Sequence, residues 1–199
     1  MRFRSIAHSF DILSNHINKI IGKYNIIVLV LRGIEIGPGS IFLGKSIFRK
    51  FPNSKIIIGK NVKMFSKAGS NLIGINRPCS ISTLAEGASI KIGNNCGFSG
   101  TVLGSFKEII IDDDVKCGAN TLITDSDWHD EDYRCGINKK VHIKKNVWLG
   151  EGVKVLKGVT IGENSLIGAG SIVVNSIPDN VVAAGNPCKV IKKLIDGKI

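Results

Sequence analysis

The sequence predicts an all-β solenoid, a parallel β-helix with a helical segment before it and a short helix after it. Three observations carry this. From Ile143 to Pro178 the chain cuts into sixes: IKKNVW, LGEGVK, VLKGVT, IGENSL, IGAGSI and VVNSIP. Each six opens on Ile, Leu or Val, and five of the six carry Val or Ser in fifth place. A period of six fits neither the about 3.6 of a helix nor simple alternation, but it is that of a parallel β-helix, in which three sixes close one triangular coil. The chain of 199 residues also holds 23 Gly with only 6% aromatic residues, as a core of stacked aliphatic layers requires.

Residues 1–33 lack the six-residue phase. Ile6, Phe10, Leu13, Ile17, Ile20 and Ile21 recur at spacings of three and four, which predicts an amphipathic helix ending near Gly22. The apolar run YNIIVLVLRG that follows is too short to span a bilayer, and no small-residue cleavage site follows an apolar core. The expectation is therefore a cytoplasmic chain with neither a transmembrane helix nor a secretory signal. The helix reads as a cap on the open end of the solenoid or as a subunit contact. Arg2, Arg4, Lys19 and Lys23 leave a second reading open, an interfacial helix in peripheral contact with the inner membrane.

The solenoid is expected over 34–188. Its phase shows at Ile36 and Ile58, is lost at Phe48 to Ser54 and at Ser70 to Ser89 around Pro52 and Pro78, and returns at Ile92 and Ile111. Between Trp128 and Ile143 lie 14 residues where six would fit, so the coil must throw out a loop over 129–142 that begins with His129. The chain leaves the repeat at Pro178 and turns at Gly185 and Pro187. It is expected to end in a basic helix over 189–199 carrying Lys189, Lys192 and Lys193.

A formal net charge of +11, with a sequence pI near 9.6, suits a polyanionic partner: nucleic acid, anionic headgroups or a phosphate-bearing cofactor. Equally, turn lysines such as Lys60, Lys116 and Lys144 would simply keep a solenoid in solution. Aromatic residues are too scattered to stack bases, and no RNA-binding or helix-turn-helix pattern is present, so no nucleic-acid partner is expected. Five Cys without a C-x-x-C pair read as reduced thiols and predict no metal site. Cys96 and Cys117 fall at core positions of the repeat. With no G-x-S-x-G elbow and no Walker loop, neither a covalent hydrolase nor a P-loop enzyme is expected.

Acid–base groups are few. His8 and His16 lie in the N-terminal helix and His142 just before a strand, whereas His129 stands in TDSDWHD. Asp125, Asp127, Asp130 and Asp132 lie within four residues of it, with Glu131 among them. A carboxylate on one ring nitrogen fixes the tautomer and leaves the other nitrogen as a base able to take a proton from an alcohol. The plainer alternative is an acidic surface turn with an incidental histidine.

The stretch VWLGEGVKVLKGVTIGENSLIGAGSIVVNSIPDNVVAAGNPCKVIKKL resembles the hexapeptide-repeat acyltransferases. It is most similar to the maltose and galactoside acetyltransferase group and to the O-acetyltransferases of lipopolysaccharide and capsule assembly. The resemblance is specific over Ile111 to Leu194, general over Ile34 to Ile110, and absent from the N-terminal helix. It implies a left-handed β-helix, a homotrimer with acetyl-CoA in a groove between subunits, no metal, and acetyl transfer to a sugar or glycan hydroxyl. His129 matches the family's catalytic base, with Asp127 or Asp125 standing in for its acidic partner, since nothing acidic lies between Asp132 and Glu151. Gly150, Gly168 and Ala169 match positions whose backbone lines the CoA arm, and Lys189 and Lys192 match basic positions near its phosphates.

The chain also departs from the family. Val174 and Asn175 stand where a Thr-Lys pair is common, Ser99 replaces an Asn before the catalytic coil, and Gly104 stands near the place of an Asp. Ser99 and Trp128 are thus the substrate-facing candidates, and the acceptor is not expected to be a simple galactoside. Two other activities fit the resemblance less closely. One is an N-acetyltransferase on an amino-sugar nucleotide. The other is a metal hydratase like the γ-class carbonic anhydrases, which needs three ligands, normally His, where only His129 and His142 lie in the coils.

Overall fold

The computed structural model describes residues 2–129 and 131–194, the first fourteen of these by backbone alone. One helix, α1 (Arg2–Leu31), precedes short strands stacked in three sheets, A, B and C, which begin with Glu35–Ile36, Ile41–Leu43 and Ile47–Arg49. As far as Ile172–Val173 the strands pair in parallel with the strand three before, so every turn of the chain visits each sheet once; in the last coil Leu166–Ile167 pairs with Val181–Ala184, two strands further on, and sheet A is met only by the bridge Ile161 to Ile177. This is the β-helix that the six-residue period predicts.

The opening aliphatics of the sixes form the core. On sheet A, Ile58, Ile92, Ile111, Ile143 and Ile161 stand in register and buried. On sheet B the ladder runs Phe42, Met64, Phe98, Cys117, Leu149, Ile167 and Ala183, and on sheet C Phe48, Ile81, Leu103, Ile123, Val155 and Val173. Phe42 and Phe48 stack at 6.0 Å in the first coil, and the sheet B ladder ends on the small Ala183. Burying one Ile or Leu contributes about 1.5–3 kcal/mol, so the ladders are the main source of stability. At the corner between sheets A and B the chain turns through the left-handed region, which Asn tolerates. There Asn146 donates to Asn164 and Asn164 to Asn180, each at 2.9 Å.

Two terminal expectations are corrected. α1 does not stop near Gly22 but absorbs the apolar run as far as Leu31. Gly22 serves another purpose: a Cβ there would stand 1.7 Å from the Phe42 carbonyl oxygen, so the glycine lets the helix lie directly on sheet B. The actual stop is Gly33, at φ +75°, where Ile34 N donates to Leu29 O at 3.1 Å in a Schellman-type ending. At the other end, Lys189–Lys193 forms not a helix but an exposed strand, antiparallel to Val181–Ala184. β-branched Val190 and Ile191 suit that edge, which a neighbouring strand was open to accept. Residues 195–199 of the expected helix lie outside the described residues.

Two excursions leave the solenoid. One spans 66–79, between Lys63–Phe65 and Ser80–Thr83; the other spans 125–140, between Leu122–Thr124 and Val141–Ile143. The first is pinned to the corner between sheets B and C, where Arg77 donates to the carbonyl oxygens of Gly100 (3.1 Å) and Asn120 (2.6 Å). No helix among the described residues is long and apolar enough to cross a membrane.

Candidate active site

Loop 125–140 leaves the corner between sheets C and A, and Asp125 anchors it. That side chain is fully buried; Oδ1 accepts from Phe106 N at 2.7 Å, and Oδ2 accepts from Ser105 Oγ at 2.7 Å and Lys107 N at 2.9 Å. Its carbonyl oxygen accepts from Lys139 N at 2.9 Å and so ties the returning limb to the root. Asp125 thus joins the loop to the coil beneath and does not reach His129.

Asp127 is engaged as well. Its Oδ2 accepts from the Lys157 ammonium and from Gly136 N at 3.2 Å, and Lys157 holds its carboxyl below the ordinary carboxylate range. Neither carboxylate expected to orient His129 touches it among the described contacts, and Asp130 lies outside the described residues. The carboxylate that faces the ring is Glu131, with Oε1 3.5 Å from Nδ1. Both side chains are open to solvent, at 73% and 80% exposed. The Glu131 carboxyl is held low by its own backbone amide and by His129. Asp132 is drawn down to about 2, first by its bond to the Arg134 guanidinium. Among the described residues, Nε2 of His129 has no hydrogen-bond partner.

Trp128 sits beside His129 in sequence with φ +72°, its indole laid over Gly104. A Cβ on Gly104 would stand 2.2 Å from Cζ2 of that ring, so the glycine seats the indole. Phe106 meets it edge-on at 5.9 Å, leaving Trp128 41% exposed. An open cleft next to this pair is lined by Phe106, Lys107, Cys135, Gly136, Ile137 and Asn138.

The remaining candidates gather at the corner between sheets B and C. Gly150 and Ala169 stack there in successive coils, Gly168 lies against Ala184, and Lys189 pairs with Ala184; Lys192 pairs with Val182, two residues back along that strand. A Cβ on Gly150 would stand 2.6 Å from Ala169 N, and one on Gly168 2.8 Å from Ala184 Cβ, so coil stacking alone already demands both glycines. Ser99 lies at the same corner, buried, its Oγ accepting from Asn71 at 3.0 Å. Within one chain, Ser99 and the glycine corner are therefore separated from His129 and Trp128 by the width of sheet C.

His142 stands apart on sheet A, its Nε2 3.0 Å from both Asp112 oxygens. Within one chain, and among the described residues, no three His, Cys, Asp or Glu side chains are placed to hold a metal ion. Sequence reasoning missed Glu131 as the ring's neighbour and Lys157 as the clasp on Asp127. The first was legible as a carboxylate two residues on in a turn; the second comes from another coil and leaves no local signal.

The bacterial transferase hexapeptide (six repeats) family matches residues 140–175. A galactoside O-acetyltransferase of Lactococcus lactis is 42% identical over 139 residues, 67% of this chain and 66% of that protein. A galactoside O-acetyltransferase of Escherichia coli is 39% identical over 140 residues, with the same shares. The aligned stretch thus spans just under two thirds of these relatives. The crystal structure of a maltose O-acetyltransferase from Clostridium difficile superposes with a TM-score of 0.54 at 29% identity, covering 97% of this chain and 87% of that one. The solenoid is accordingly the left-handed parallel β-helix of such proteins.

Proposed function

The chain belongs to the bacterial hexapeptide-repeat transferases, and on that premise we propose that it transfers the acetyl group of acetyl-CoA to a sugar hydroxyl in the assembly of a surface polysaccharide, lipopolysaccharide O-antigen or capsule. The observation that carries this reading is His129. It is an exposed imidazole at the loop mouth with Glu131 at Nδ1 and no partner at Nε2 among the described residues. The Glu131 carboxylate favours the tautomer that leaves the lone pair on Nε2. Nε2 takes the proton of the acceptor hydroxyl as its oxygen attacks the thioester carbonyl. The tetrahedral adduct then collapses, the C–S bond breaks, and the imidazolium returns the proton to the departing sulfur.

No acyl-enzyme is needed. Of the five cysteines, Cys79, Cys96 and Cys117 are buried, and burial raises their thiols, that of Cys96 to about 12, far from a useful thiolate population; Cys135 is half-buried and lines the cleft beside Trp128, but direct attack passes no acyl group to it. At the corner between sheets B and C, Gly150, Gly168, Ala169 and Ala184 offer no side chain larger than a methyl, which suits a thin pantetheine arm, with Lys189 and Lys192 near its phosphates.

The same reading calls for a trimer with a shared site. The outward positions of sheet C in the middle and upper coils are largely apolar, with Val102, Leu122, Leu156, Ile172 and Val174, although Lys154 is among them. On sheet A most of the corresponding positions are polar, with Lys55, Lys91, Glu108, His142 and Lys144, although Ile57 and Ile110 are among them. A neighbouring copy covering sheet C would set its glycine corner and Ser99 against the His129 edge of this chain, closing the separation seen within one chain.

Release of CoA from acetyl-CoA across a panel of nucleotide sugars and glycan fragments tests the reading. Turnover with a hydroxyl acceptor is expected. Turnover confined to amino sugars would move the assignment to N-acetylation, and none with any acceptor would overturn it.

A further inference from the structure

We propose that α1 is an assembly helix: its exposed face packs against α1 of other copies of this chain in a parallel three-stranded bundle. The helix has two faces. Asn18, Gly22, Asn25 and Leu29 are buried against the solenoid at spacings of four, three and four. On the other side, Ile17, Ile20, Tyr24, Ile27 and Leu31 are 48%, 66%, 69%, 58% and 82% exposed, at spacings of three, four, three and four. In the sequence the same steps run back without a break through Leu13, Phe10, Ile6 and Phe3.

That spacing separates two occupants. A helix lying on a lipid surface needs only a broad apolar face with the helix's own period of about 3.6. A line kept in strict steps of three and four has a period of about 3.5 and stays on one side only when helices wind about each other. The steps fix the register uniquely, with Phe3, Phe10, Ile17, Tyr24 and Leu31 at a and Ile6, Leu13, Ile20 and Ile27 at d. Ile fills three of the four d positions, a choice that disfavours two strands and favours three or more.

The flanking residues set the direction. The e positions are Ala7, Ser14, Ile21 and Val28, none charged, while the g positions include Arg2, His16 and Lys23. In a parallel bundle each g residue meets an uncharged e residue of its neighbour, whereas an antiparallel pair would set these basic residues against one another. A helix of 30 residues is about 45 Å long, so a strip about 10 Å wide covers roughly 450 Å² of it; each helix of a three-stranded bundle meets two neighbours and buries roughly 900 Å² of its own surface, close to the about 800 Å² per partner of a stable interface. The inference does not depend on the contact proposed for sheet C, although both call for three copies.

Cysteine cross-linking of the full chain tests it. Ile20→Cys and Ile27→Cys are compared with Lys19→Cys, which lies off the seam, and with the parent chain carrying its native cysteines. Mild oxidation should give disulfide-linked dimers several-fold more abundant for the two seam variants. Equal or absent cross-linking, with sedimentation still showing a trimer, would overturn the helix contact and leave the shared-site reading standing; a monomer would overturn both. Co-sedimentation of the parent chain with phosphatidylglycerol vesicles, together with absent seam cross-links, would overturn the proposal in favour of a lipid surface.

Discussion

The Lys157 ammonium donates both to Oδ2 of Asp127 and to the carbonyl oxygen of Gly136 (3.1 Å), so one side chain from the following coil clasps both limbs of the loop that carries His129. Because Asp127 is 42% exposed, the clasp contributes no more than about 1 kcal/mol to folding. Its larger effect falls on loop position: Lys157→Met is expected to lower turnover several-fold with little change in the unfolding midpoint.

The pH dependence of that clasp has a defined sign. Lys157 holds the Asp127 carboxyl below its ordinary value of 3.8, so the stabilisation is present above that value and disappears as pH falls through the lower folded value. Urea midpoints of the parent chain and Asp127→Asn should therefore differ slightly at pH 7 and converge in strong acid. A difference that grows on acidification would contradict the assignment.

Asp125→Ala should behave quite differently. It removes a buried acceptor from Ser105 Oγ and the amides of Phe106 and Lys107, leaving the two amides unsatisfied while Ser105 Oγ keeps the Ser89 carbonyl oxygen at 3.2 Å. A loss of about 3–5 kcal/mol is expected in denaturant titrations. A loss under about 1 kcal/mol would mean that these donors find other partners.

Gly22→Ala sets two effects against each other. Alanine favours a helix by about 1 kcal/mol over glycine, yet its Cβ would meet the Phe42 carbonyl oxygen. The contact wins if α1 is seated on sheet B, so the melting temperature should fall.

These cases show what the sequence could and could not reveal. The inward ladders were legible because a period of six leaves one aliphatic per face, and Ile143, Leu149 and Val155 stand where that period puts them. Gly22 misled because a glycine needed for close approach and one that stops a helix are the same letter. KVIKK carried a spacing compatible with a helix, but its edge pairing with Val181–Ala184 is a long-range choice that local pattern does not encode. The excursion over 66–79 shows in the sequence only as a loss of phase from Ser70 to Ser89, which blurs its bounds. At the site, closeness along the chain made Asp125 look like a partner of His129, whereas the corner turns its carboxylate down into the preceding coil.

If Lys189 and Lys192 face the donor's phosphates, changing both to Ala should raise the KM for acetyl-CoA roughly tenfold, at about 0.5–1 kcal/mol for each exposed contact. The KM for the acceptor should hardly move. An unchanged donor KM would return these lysines to a role in solubility alone.

The central claim rests on Nε2 of His129, and the kcat of His129→Ala under saturating acetyl-CoA tests it most directly. A fall of about 10²–10⁴-fold is expected, with acetyl-CoA affinity and assembly retained and with Glu131→Gln costing less. Near-normal turnover in His129→Ala would contradict the account.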